Sequence, residues 1–151
     1  MASVVVAGCG GAPEPVRTTE VAPGATVSAP RYLALVREAV AAARAASIRL
    51  EAVPARTVPA ELTAAAPGLA AAAARAEAAA RQLSAARLED QRLEAQRRDI
   101  GPLYVLFASD LRKAATAAAR GDVAGARESV SAAAVAAGRI HEASAPGAPG
   151  S

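Results

Sequence analysis

Apolar residues recur at intervals of three and four along most of this chain, in four separate stretches. From Pro30 the stripe Leu33, Val36, Val40, Ala43, Ser47 and Leu50 lies on one helical face, and the pattern ends near Val53, before Pro54. Pro30 suits a first turn, where its missing N–H is one that no helix uses. The link PARTVP leads to a second stripe, Leu69, Ala73, Ala76, Ala80 and Leu83. Pro59 and Glu61 favour the start of that helix, and Pro67 perturbs it.

The second pattern runs on into RLEDQRLEAQRRD, where the apolar face thins to Leu88 and Leu93. At Gly101 and Pro102 a missing backbone donor predicts a break. A helix from Glu61 to Asp99 would then span about 58 Å, against about 33 Å for the others, at 1.5 Å per residue. The alternative is a kinked rod that continues into the third helix.

That third helix carries Leu103, Phe107, Leu111, Ala114 and Ala118 on one face and stops at Gly121. Gly121 suits the left-handed position after a helix and Asp122 can cap the next, so an αα-hairpin is expected. The fourth stripe is Val123, Ala126, Val130, Ala133, Ala137 and Ile140. Four amphipathic helices with short connections predict an all-α fold, a small antiparallel bundle over residues 30–143, or three helices with a kinked long central one.

Composition sharpens that picture. The chain has 151 residues, of which 53% are hydrophobic and 2% aromatic. Roughly a third of it is Ala, so helices can approach closely while large core side chains are scarce. Tyr32, Tyr104 and Phe107, the only aromatics, fall at helical spacing and read as core or rim packing. Residues 10–29, rich in Pro, Gly, Thr and Ala, show no helical or strand period and read as a flexible spacer. Its ends would average about 25 Å apart, and roughly 65 Å at full stretch. The tail 144–151 reads as disordered for the same reason.

The net charge is +3, carried almost wholly by Arg residues that are spread along the helices rather than gathered into a block. With so few aromatics the Arg residues lack stacking partners, which makes nucleic acid an unfavoured partner. One Cys forms no internal disulfide, and one His removes most metal sites and triads, so no metal or cofactor is expected. His141 falls in a last helical turn, where partial positive charge suits the helix C-terminus. Glu89, Asp90, Glu94 and Asp99 lie among Arg residues at helical spacing: Glu94 faces Arg97 and Arg98, Glu89 faces Arg92, and Arg87 precedes Asp90. A solvated, ion-paired face is expected there. Arg87, Asp90, Glu94, Arg97 and Arg98 are the candidate partner surface, and no enzymatic role is expected.

The stretch Val6, Ala7, Gly8, Cys9 resembles the lipobox of bacterial lipoproteins, an aliphatic residue, a small residue, then Gly or Ala before Cys. That resemblance implies cleavage before Cys9, a diacylglyceryl thioether on its sulfur and acylation of the new amino terminus. On this reading residues 1–8 are the remnant of a signal peptide whose start codon and basic n-region lie further upstream, so that Met1 falls inside its apolar h-region. Residues 9–29 are then the lipidated Cys and its spacer, and the bundle is a non-enzymatic binding or scaffolding module on the extracytoplasmic side of the cell membrane, with an envelope protein as its partner. The rival expectation is a cytosolic basic helical protein that binds nucleic acid nonspecifically.

Overall fold

The computed structural model describes residues 21–51 and 58–144. Four helices follow one another: α1 (Ala29–Glu51), α2 (Pro59–Ala85), α3 (Gln91–Ala119) and α4 (Val123–Ser144). Each packs on its neighbour in sequence, and α4 returns to α1, so the helices close into a four-membered ring. The α2–α3 and α3–α4 contacts are the most extensive and the α1–α4 seam is the thinnest. The α2–α3 pair is antiparallel: Arg97 near the start of α3 reaches Leu83 near the end of α2, while Arg112, one helical stretch later, pairs with Glu77, further back.

The expected stripes account for much of the core. Leu69, Ala73, Ala76, Ala80 and Leu83 of α2, and Phe107, Leu111, Ala114 and Ala118 of α3, are all buried. Tyr32, Tyr104 and Phe107 are fully buried, together with Leu62, Leu69, Leu83, Ile100, Leu111 and Ile140. These nine large side chains fill the centre, and alanines allow the helices to close around them. In α1 the buried face is rotated from the expected one. Tyr32 and Leu35 point inward, and Leu33 stays 42% exposed.

The α3–α4 corner forms as the sequence predicts. Gly121 has φ 69°, and its N–H and that of Asp122 donate to the carbonyls of Ala118 and Ala117 at 3.0 and 2.9 Å. These two bonds satisfy carbonyls that the helix end would otherwise leave free. Asp122 Oδ1 then accepts from the N–H of Gly125 at 2.9 Å and caps α4.

The expected break at Gly101 and Pro102 does not occur, and α3 runs through both residues. Pro102 is exposed, so the carbonyl of Arg98 that it leaves without a donor lies on the solvent side, while the buried side chains of Arg97, Ile100 and Tyr104 hold both turns to the core. Pro67 is accommodated in α2 in the same way, on an exposed position. The chain breaks instead at Ala86–Asp90, so neither the long second helix nor the kinked central rod is present.

The expected spacer 9–29 also needs correction at its end. Val21–Ser28 lies against the α2–α3 connection as a strap, with Gly24 N–H donating to Ala85 O at 2.9 Å, Arg87 N–H to Ala25 O at 3.0 Å and Val27 N–H to Arg87 O at 2.9 Å. Thr26 and Arg87 form an isolated parallel β-bridge, and Val21 and Val27 pack on the core. The remnant 1–8, Cys9 and the tail beyond Ser144 lie outside the described residues, and Ser144 itself closes α4.

Candidate functional site

Arg87, Asp90, Glu94, Arg97 and Arg98 come together at the α2–α3 corner, where they hold the chain's own backbone. Asp90 is the N-cap of α3: its Oδ1 accepts from the N–H groups of Arg92 and Leu93 at 2.9 and 3.1 Å. Arg97 forks onto Glu94, with Nε to Oε2 at 2.9 Å and Nη2 to Oε1 at 2.6 Å. Its remaining Nη1 donates to the carbonyl of Leu83 at 3.4 Å. Glu94 also accepts from the N–H of Leu88 at 3.3 Å and from Arg98 Nε at 3.4 Å. One carboxylate and one guanidinium thus tie the end of α2, the connection and the first turns of α3 together.

The expected solvated face is therefore corrected at its centre. Arg97 is only 9% exposed, and the Glu94–Arg97 pair is a staple rather than a surface offered to a partner. The hydrogen bonds from Arg97 hold the Glu94 carboxyl well below the usual carboxylate range, at about 2, against the opposing effect of its desolvation. The same pairing raises the pKa of Arg97. Of the expected face, Arg98 remains exposed, and Arg87 holds the strap through its backbone while its Nη1 reaches Ala86 O at 3.3 Å.

Behind this staple lie Tyr32 and Tyr104, whose hydroxyls are buried without a hydrogen-bond partner among the described residues. Burial pushes the Tyr32 phenol up to about 12, with Arg97 acting in the opposite sense and Glu94 in the same sense. Burial raises Tyr104 too, and the neighbouring Tyr32 adds to the effect.

Two further acids are engaged by basic side chains. Glu77 pairs with Arg112 across α2 and α3, and Asp110 pairs with Lys113 at 2.9 Å along α3. No group of three or more His, Cys, Asp or Glu that could hold a metal occurs among the described residues. No described helix is long and apolar enough to cross a membrane.

Clefts lie between the described helices, one of about 410 Å³ beside Ser84, Val105 and Ser109 on α2 and α3 and two larger ones. Of the larger two, one, of about 660 Å³, follows α2 and α3 past the Glu77–Arg112 pair and is lined mainly by alanine. The other, of about 530 Å³, lies along the thin α1–α4 seam, where Val40, Ala43 and Ile140 meet Arg44, Ser47 and His141. Sequence reasoning missed this second cleft. Its signal was the run of small residues ending in Gly138, which lines the cleft without a side chain to fill it. Comparison with known proteins adds no relative: no family model, curated protein or solved structure matches the chain.

Proposed function

We propose that this chain is a bacterial lipoprotein, anchored through lipid on Cys9 to the extracytoplasmic side of the cell membrane, whose helical bundle binds or scaffolds a partner without catalysing a reaction. The observation that carries this reading is the Val6, Ala7, Gly8, Cys9 sequence placed ahead of a Pro- and Gly-rich spacer and one compact domain. Two or three acyl chains make such an anchor stable, at about 0.8 kcal/mol for each buried CH₂. Because the Val21–Ser28 strap belongs to the bundle, a tether on this reading is confined to the twelve residues 9–20, whose full contour is no more than about 40 Å.

The five acids that hold helix ends or basic side chains support a non-enzymatic role. Asp90 and Asp122 cap helices, and Glu77, Glu94 and Asp110 are paired with basic side chains. A general acid or base needs a carboxyl group free to exchange protons with a substrate, and these five have other partners.

Mass spectrometry of the gene product, made with its upstream codons in a bacterial host, tests the anchor. The expected mature N-terminus is an acylated Cys9, with the protein in the detergent phase, and Cys9→Ser leaves it in the aqueous phase. A product that keeps Met1 and a free thiol overturns the reading.

A further inference from the structure

We propose that the cleft between α1 and α4 binds a single-chain amphiphile with an anionic head group. Among its described lining residues the only ionisable side chains are Arg44 and His141, and none is a carboxylate. Both are exposed, and neither has an ion-pair or hydrogen-bond partner among the described residues, a state that Arg44 shares with Arg120 and Arg139. Arg44 carries a permanent charge, His141 offers a ring N–H and Ser47 a hydroxyl, a donor set suited to a carboxylate or phosphate.

The rest of the lining is Val40, Ala43, Val130, Ile140 and small residues, a surface for an alkyl chain. The volume of about 530 Å³ lies within the range of roughly 300–1,000 Å³ typical of small-molecule sites. The larger α2–α3 cleft is less suited to an anion, because its lining places the Glu77 carboxylate beside Arg112 and Arg120. The α1–α4 seam is also the thinnest in the ring, so an inserted chain displaces little packing.

The test is calorimetry on the full chain without lipid, titrated with dodecanoate, monododecyl phosphate and dodecanol below their aggregation limits. The measurement is independent of Cys9, so failure of the anchor reading and failure of this one are separable. The expected result is binding of one anionic amphiphile per chain, about tenfold tighter than dodecanol, as one charge-assisted hydrogen bond contributes. Preference between the two anions identifies the head group as carboxylate or phosphate, and either supports the site. Arg44→Gln is expected to remove most of the preference over dodecanol. Gly138→Leu is expected to block binding, because a Cβ at Gly138 meets nothing within 4 Å and the added side chain enters open space. Both variants should melt near the parent temperature. Equal affinity for all three probes, no binding of either anion, or unchanged binding by a folded Gly138→Leu protein overturns the proposal.

Discussion

Arg97 shows how a single side chain changes its meaning once the chain is folded. In the sequence it is one of a row of basic residues beside acids, and its pairing with Glu94 three positions away is legible from helical spacing alone. Its burial is not legible, because the Leu83 carbonyl that it reaches belongs to another helix. The Glu94 carboxyl titrates near 2 in the fold against an ordinary 4.5, so its contribution is complete above about 4.5 and is lost as the pH falls toward about 2. Melting curves taken at successively lower pH should fall more steeply through this window for the parent than for Glu94→Gln, which should be the less stable protein at neutral pH. The two tyrosines behave in the opposite sense. Both phenols are pushed up by burial, so protonation favours the fold and stability declines as the pH rises above 10 toward 12. Because the Tyr104 hydroxyl is buried without a partner, Tyr104→Phe should match or exceed the parent stability at neutral pH, by up to about 1 kcal/mol in thermal or denaturant melts. A clear loss would show that the hydroxyl has a partner.

At the scale of elements, the α3–α4 corner is the best test of the topology. Asp122→Ala removes the acceptor of the Gly125 N–H and should cost about 1 kcal/mol. Gly121→Val forces a β-branched residue to φ 69° and sets its Cβ about 3.3 Å from the Pro59 side chain, so it should cost more, at least about 1–2 kcal/mol. Thermal melts check both, with a fall of about 4 °C expected for each kcal/mol. This corner was readable because its causes are local: a glycine, an aspartate and two stripes that stop and restart. The α2–α3 corner was not, because RLEDQRLEAQRRD contains neither Gly nor Pro and each residue tolerates a helix. Ala86 turns to an extended backbone, ψ 147°, where the Val21–Ser28 strap pairs with Ala85 and Arg87, a contact that no local window contains. Asp90 was the one local sign of a restart. Conversely, Gly101 and Pro102 looked like a terminator and are carried inside α3, because tertiary burial on both sides of them outweighs one lost hydrogen bond.

At the scale of the whole molecule, an alanine-rich core gives the ring of helices uneven seams. The nine largest buried side chains leave small residues to form much of the α1–α4 contact, which is why a cleft opens there. The strap, at the corner between α2 and α3, determines where force enters the protein. A pull on the chain ahead of Val21 does not reach the first turn of α1 directly. It is borne first by the backbone bonds from Gly24, Val27 and Arg87, which join the leading segment to a corner already fixed by Asp90, Glu94 and Arg97. The load therefore passes into α2 and α3, which share the most extensive packing with their neighbours, and α1 is shielded from unwinding until the strap has peeled away.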